Sequence, residues 1–125
     1  MDKISSTSEV QVQKENTAEF VGSGTLPIFA TPSMAALMEN AAMKAAEKIL
    51  SEGETTVGSE LNIKHLSPSP IGANIKATAT LLQQEGRKLT FSVLATEDNK
   101  TIGEGIHIRY IVNIQKFMQK LGLSI

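Results

Sequence analysis

The sequence contains no cysteine and no tryptophan, and only one tyrosine and four phenylalanines. Without cysteine the chain has no disulfide framework, no thiolate zinc site and no cysteine nucleophile. The few aromatic side chains and the formal net charge of -1 argue against a nucleic-acid partner, because such proteins usually present basic surfaces and aromatic stacking platforms.

Long apolar runs are also missing. The N-terminal segment has no apolar stretch of signal-peptide length, and no later segment approaches the ~20 apolar residues of a membrane span. We therefore expect a cytoplasmic protein with no membrane partner. Of the 125 residues 41% are hydrophobic and 20% are charged, which suits one packed domain over residues 1–125.

A long helix is the strongest local prediction. Thr31 offers a hydroxyl at the N-cap and Pro32 suits the first helical position, so a helix of about 19 residues is predicted to end near residues 51–53. Upstream, Val10 and Val12 alternate with glutamines and predict a short strand, and the Gly/Pro-rich stretch 21–27 predicts a loop.

After the helix the pattern becomes alternating and predicts four consecutive strands. Turns are predicted at 85–86 and 98–99, and a short final helix at 115–121. The predicted strand faces are Val57, Ser59, Leu61, Ile63 and His65; Ala73, Ile75, Ala77, Ala79 and Leu81; Leu89, Phe91, Val93 and Ala95; and Ile102, Ile106, Ile108, Tyr110 and Val112.

This order of elements predicts an α+β hotdog fold, in which an antiparallel β-sheet of about five strands wraps around one long α-helix. The many alanines of the helix are consistent with close approach of the sheet. An edge strand of such a sheet needs a partner, so we expect a homodimer that removes the exposed edge.

Glu39 lies in the apolar arc of the predicted helix, although positions on its wet side are available. A carboxylate that loses solvation against apolar surface is a natural candidate for a general base or nucleophile. The alternative is a glutamate at the edge of the stripe that reaches solvent or pairs with a lysine.

His65 ends the predicted inward face of its strand, so its ring is expected to point toward the helix, where it could meet a carboxylate. The alternative is a histidine with a core or interface role. His107, the other histidine, is predicted to lie on the face opposite Ile106 and Ile108.

Thr31 offers a hydroxyl beside free backbone N–H groups that can hold a developing oxyanion; its plainer role is an N-cap, worth ~1 kcal/mol. If the helix includes Thr31, the step to Glu39 spans about 12 Å, too far for both to reach one carbonyl. We therefore predict a composite site at a dimer interface, with the two residues supplied by different chains or with Thr31 in a non-helical loop.

Three stretches carry a family resemblance: GSGTLPIFATPSMAALMENAA, TVGSELNIKHLSPSPIGANIKATATL and EGRKLTFSVLATEDNKTIGEGIHIRYIV. From about residue 10 to residue 112 the chain resembles the hotdog thioesterases related to fluoroacetyl-CoA thioesterase. In that family a Thr, a Glu and a His act together, and their spacing matches Thr31, Glu39 and His65. A glycine and an arginine of the family match Gly58 and Arg109.

The resemblance implies hydrolysis of a small acyl-CoA thioester without a metal or redox cofactor. Glu39 would activate water or attack the carbonyl, His65 would shuttle a proton, and Thr31 would position or attack the acyl group. Gly58, Arg109 and Phe29 are the candidate substrate-binding residues. Candidates for the CoA phosphates are Lys64, Lys76, Arg87, Lys88 and Arg109, each of which is also explained as a solvated strand residue.

Two other functions stay open at this point. A hotdog hydratase or dehydratase would also use a carboxylate and a histidine, but these usually lie together at the helix start. A non-catalytic acyl-CoA binding module would need none of the three residues for turnover. The acyl chain, the covalent or water route, and association into tetramers are left open by the sequence.

Overall fold

The computed structural model describes residues 3–123, which form five β-strands, three α-helices and a 3-10 turn at Lys14–Asn16. The elements are β1 Ser5–Gln11, α1 Ala18–Val21, α2 Thr31–Glu47, β2 Glu54–His65, β3 Asn74–Glu85, β4 Lys88–Glu97, β5 Lys100–Asn113 and α3 Ile114–Lys120. The prediction of one domain over residues 1–125 stays a prediction.

The strands form one antiparallel sheet in the order β1-β3-β4-β5-β2. The hairpins β3–β4 and β4–β5 turn through two residues each, at Gly86 and Asp98, which have positive φ angles of 62° and 56°. Helix α2 packs mainly against β1 and β3. The predicted hotdog arrangement is confirmed, and within residues 3–123 strands β1 and β2 are the sheet edges.

The core lies between α2 and the concave face of the sheet. Small side chains let the two approach closely, and a Cβ placed on Gly103 of β5 would collide with Met34 Sδ. On the far side, Lys44 and Lys48 donate hydrogen bonds to carbonyl oxygens of β1. The helix contributes Met34, Met38, Ala41, Ala42, Ala45 and Ala46, and the sheet contributes Ile75, Ala77, Ala79, Leu89, Phe91, Val93 and Ala95.

The inward faces of β3 and β4 are as predicted, but that of β2 is wrong for its first half. A β-bulge at Ser59, between the pairs Gly58–Arg109 and Glu60–Ile108, reverses the alternation there. Thr56 and Gly58 therefore face inward before the bulge, in place of Val57 and Ser59. Leu61, Ile63 and His65 face inward after it, as predicted.

The predicted face of β5 is wrong after its first residue for the same reason. Ile102 is an extra residue between the pairs Ala95–Gly103 and Thr96–Thr101, and this bulge reverses the alternation that follows. Ile102 is buried, but Ile106, Ile108, Tyr110 and Val112 lie on the outer face. The inward positions belong instead to His107, Arg109 and Ile111, all of them buried.

The bounds of the helices also differ in part from the prediction. Ala30 is the N-cap of α2 and makes no side-chain cap hydrogen bond, so Thr31 is the first helical residue and is neither a cap nor part of a non-helical loop. The helix ends at Glu47 rather than near residues 51–53. The short helix α1 was not predicted, whereas α3 was predicted to within one residue at each end.

Candidate active site

Thr31 and His65 meet at the N-terminal end of α2. The Thr31 hydroxyl lies 2.7 Å from Nδ1 of His65, where β2 ends. Thr31 is exposed and makes no N-cap bond, so its hydroxyl serves this imidazole instead of the helix backbone. A hydroxyl bonded to a histidine nitrogen is the arrangement in which an imidazole can accept or return a proton.

The His65 ring is half-buried and packs edge-on against Phe29, with ring centroids 6.5 Å apart and an interplanar angle of 82°. Its Nε2 is buried and has no hydrogen-bond partner among the described residues. Burial lowers the pKa of His65 from its ordinary value of 6.5, and the Ser67 backbone acts in the opposite direction. The neutral imidazole is therefore the favoured form at neutral pH.

An open cavity of about 300 Å³ lies beside this pair. Thr31 and His65 form one wall, Phe29 and Ile28 a second, and residues 66–68 a third. The lining thus combines apolar side chains with the polar groups of Thr31, His65 and Ser67, as in a pocket that holds a small ligand by shape and orients it by polar contacts. The predicted site residue Phe29 thus lies in the same cavity as Thr31 and His65.

Glu39 lies elsewhere, so the predicted meeting of Glu39 with His65 does not occur within one chain. The helix places Glu39 about 12 Å along its axis from Thr31. Glu39 is half-buried and lines a separate recess of about 370 Å³ with Ala36, Asn40, Met43, Gly58 and Arg109. One chain therefore carries two separate groups of candidate site residues: Thr31 with His65, and Glu39 with Gly58 and Arg109.

Gly58 lies at the centre of the second group of candidate residues. A Cβ built on Gly58 would lie 3.1 Å from Glu39 Oε2, 3.2 Å from His107 Cε1 and 3.4 Å from Arg109 Nη1. A side chain at this position would therefore displace the carboxylate or the imidazole by a few tenths of an ångström. The predicted substrate-binding residues Gly58 and Arg109 lie together with Glu39.

The alternative interpretation of Arg109, as a solvated strand residue, is wrong, because only 7% of its surface is exposed. Its Nε donates to Thr56 Oγ1 at 2.8 Å, and Nη2 donates to the Thr56 carbonyl oxygen at 3.0 Å. Burial lowers the pKa of Arg109, and the charge of Glu39 raises it. The guanidinium is thus fixed by β2 and faces a carboxylate of α2.

His107 is the site residue that the sequence missed. It lies fully buried next to Arg109, whereas strict alternation placed it on the outer face. The bulge at Ile102 could not be read from the sequence, because Ile102 fits either side of the alternation. The one sequence signal for a polar site on this face was Arg109, which follows His107 by two residues and therefore lies on the same face of the strand.

The remaining candidates for CoA phosphates differ in exposure. Arg87 has a side chain that is 62% exposed, with Nη1 lying 3.6 Å from Glu54 Oε2. Lys64 and Lys76 are exposed, and Lys88 is half-buried. None of the described residues forms a cluster of three or more His, Asp or Glu side chains able to hold a metal ion. No helix within residues 3–123 combines the length and apolarity needed to cross a membrane.

Comparison with known proteins gives a consistent result. The family model described as fluoroacetyl-CoA-specific thioesterase (FlK) matches residues 12–115. The fluoroacetyl-CoA thioesterase of Streptantibioticus cattleyicolor is 35% identical over 94 residues, which cover 75% of this chain and 68% of that protein.

Solved structures agree with this relationship. A phenylalanine-to-alanine variant of FlK in complex with fluoroacetate and CoA is 30% identical, with a TM-score of 0.86 over 93% of this chain and 95% of that one. A thioesterase superfamily member from Thermus thermophilus is 27% identical, with a TM-score of 0.89 over 98% of this chain and 90% of that one. The resemblance and the fold inferred from the sequence are both confirmed.

Proposed function

The chain belongs to the fluoroacetyl-CoA-specific thioesterase family and is an acyl-CoA thioesterase; we propose that it hydrolyses a small acyl-CoA at sites shared by two copies of the chain. Each site takes Thr31 and His65 from one copy and Glu39 from the other. The observation that carries the proposal is the 2.7 Å bond between Thr31 and His65, formed at a cavity that Glu39 of the same chain does not line.

Strand β2 supports the shared site because it is a free edge among the described residues and carries members of both groups of candidate residues. His65 ends this strand, and Gly58 lies earlier in it beside Glu39. Antiparallel pairing of two β2 strands about a point between Leu61 and Asn62 would bring His65 of one copy opposite Gly58 of the other. Such pairing also closes an edge of 12 residues that would otherwise invite aggregation.

The chemistry follows from these groups. Attack of an oxygen nucleophile on the thioester carbonyl forms a C–O bond, and return of the carbonyl breaks the C–S bond. Thr31 and the α2 N-terminus hold the carbonyl oxygen, and His65, kept neutral by burial, relays to the departing CoA sulfur a proton that comes from water. The products are the free acid and CoA thiol.

Glu39 of the other copy has two routes to this end. As a base it takes a proton from the attacking water and passes it to His65; as a nucleophile it forms an anhydride that water then opens, and a proton of that water reaches the CoA thiolate through His65. Label found in the Glu39 carboxylate after a single turnover in oxygen-18 water would establish the anhydride route, because direct attack by water cannot place label there.

The substrate we propose is a short acyl chain on CoA. The cavity of about 300 Å³, bounded in part by Phe29 and Ile28, is at the small end of the range for ligand pockets. The fluoroacetyl-CoA named for the relatives is one such substrate.

A thiol-release assay on short, medium-chain, branched and aromatic acyl-CoAs tests the proposal. We expect release from the short thioesters and its loss in both Glu39→Gln and His65→Ala, with the far-UV spectrum and unfolding midpoint retained. Unchanged hydrolysis in either variant would refute the mechanism. Absence of release from every thioester, with acyl-CoA still bound, would favour the acyl-CoA binding module.

A further inference from the structure

His107 is a buried imidazole that the proposed reaction does not use. It lies on β5 between Leu61 of β2 and Phe91 of β4, and none of its surface is exposed. A polar ring in such a position is usually kept for the hydrogen bonds it makes, because an unpaired polar group in the core destabilises the fold. Both ring nitrogens of His107 have partners.

These partners fix the protonation of the ring. Nδ1 lies 2.8 Å from the Glu60 carbonyl oxygen, which can only accept, so Nδ1 carries the hydrogen. Nε2 lies 3.2 Å from Arg109 Nη1, which can only donate, so Nε2 carries the lone pair. His107 is therefore neutral, in the Nδ1–H form.

The electrostatics agree with this assignment. Burial is the main cause that lowers the pKa of His107; the Glu60 carbonyl raises it, the Arg109 charge lowers it and the Glu39 charge raises it. Arg109 on β5 and Glu39 on α2 are the charged side chains that act on the ring. A proton on Nε2 would place two positive groups in contact and break the bond to Arg109.

The bond to His107 completes the support of Arg109. Together with the two bonds to Thr56, it holds three of the five guanidinium N–H groups and leaves one on each terminal nitrogen. Thr56 holds one edge of the planar guanidinium through Nε and Nη2. His107 alone holds Nη1, the guanidinium nitrogen nearest Gly58. Without His107, Nη1 would be free to turn away from the recess that Glu39 lines.

We propose that His107 is a positioning residue for thioester hydrolysis: its Nε2 lone pair holds Arg109 Nη1 beside Gly58, so that the guanidinium faces the Glu39 carboxylate and the acyl group that reaches it. This inference rests on the proposed function, because Glu39 must be the carboxylate that serves the reaction. His107 touches neither substrate nor reacting atoms, and it acts through Arg109.

Two substitutions separate the bonds of His107. In His107→Gln the side-chain oxygen can reach the place of Nε2 and accept from Arg109. In His107→Asn the amide nitrogen can take the place of Nδ1 and donate to Glu60, but nothing replaces Nε2. On the short acyl-CoA with the highest rate, we expect kcat/KM to fall about ten- to hundredfold in the Asn variant and to recover most of that loss in the Gln variant.

A double-mutant cycle with Arg109→Met tests whether the effect passes through Arg109. We expect His107→Asn to cause no further loss of kcat/KM in the Arg109→Met background, since the group it positions is already gone. A purely structural role would lower the unfolding midpoint alike in both backgrounds and would not be rescued by glutamine.

The inference is overturned if folded His107→Asn hydrolyses as fast as the wild type, or if the losses in the cycle multiply. Should the Asn variant fail to fold, His107→Gln decides: activity within about threefold of wild type supports the proposal, and a folded variant slower by more than about tenfold overturns it. Glu39→Gln separates the two claims, because full activity in that variant refutes the proposed function itself, whatever His107 does.

Discussion

The Thr31 hydroxyl lies 2.7 Å from Nδ1 of His65, a hydrogen bond that joins the first residue of α2 to the last residue of β2. Because Ala30 occupies the N-cap position, the Thr31 hydroxyl is not used to cap its own helix. The pair therefore lies at the cavity, while Glu39 lies about 12 Å farther along the same helix and lines a different recess.

Replacement of Thr31 by valine should remove the hydroxyl while keeping the shape of the side chain. We expect kcat/KM to fall on the order of a hundredfold, in the range for loss of a group in acid–base catalysis. The unfolding midpoint should change little, because Thr31 is exposed and does not cap α2. Thr31→Ser is the matched control and should keep most of the activity; a Val variant as active as the Ser variant would contradict the role of the hydroxyl.

The pH dependence should reflect a neutral His65. Burial lowers the pKa of this residue from 6.5, so its imidazole stays unprotonated at neutral pH and becomes protonated only in more acid solution. We expect kcat/KM to be level around neutrality and to fall on an acid limb whose midpoint lies below 6.5. An acid limb centred above that value would show that His65 is not held neutral.

Stability should also decline with acid. The folded state disfavours the charged form of His65 and of His107, so the unfolded chain binds more protons below the ordinary histidine pKa of about 6.5. Their contribution is present above that pH and is lost as the pH falls through the lowered values. Urea unfolding midpoints should decrease from about pH 7 to about pH 5, and less steeply in His107→Gln; equal slopes in the two proteins would argue against a neutral His107.

An alanine at position 58 should damage catalysis more than folding. Its Cβ would lie 3.1 Å from Glu39 Oε2 and 3.2 Å from His107 Cε1, so both side chains must shift by a few tenths of an ångström. We expect a loss of kcat/KM of about tenfold or more, because misplacement of a reacting group is costly. Ser59→Ala, on the neighbouring exposed bulge residue, is the control and should behave as the wild type.

The sequence predicted the fold well where the chain is regular. Ile75, Ala77 and Ala79 in β3, and Leu89, Phe91 and Val93 in β4, alternate without interruption, and their inward faces were predicted without error. The two-residue turns at Gly86 and Asp98 were marked by residues that tolerate positive φ.

The prediction failed where one extra residue enters a strand. The bulges at Ser59 and Ile102 exchange the two faces, so Gly58 and His107 turn inward and Ser59 and Ile106 do not. An alternating pattern has no signal for such an insertion when both faces carry apolar residues. For the site, the spacing of the family residues predicted Thr31, Glu39 and His65. It could not predict which groups each side chain contacts, because these contacts depend on strand register and, in the proposed shared site, on which chain supplies each residue.

The shared site is tested most directly by mixing two inactive variants, Thr31→Val and Glu39→Gln, after unfolding and refolding them together. A mixed dimer has one site with intact Thr31, His65 and Glu39, and one site that lacks both Thr31 and Glu39. Because random pairing makes about half of the dimers mixed, it should restore about a quarter of the wild-type activity. Each variant refolded alone should stay inactive. Failure of the mixture to regain activity, with mixed dimers demonstrated by mass, would place the three residues' action within one chain and contradict the account.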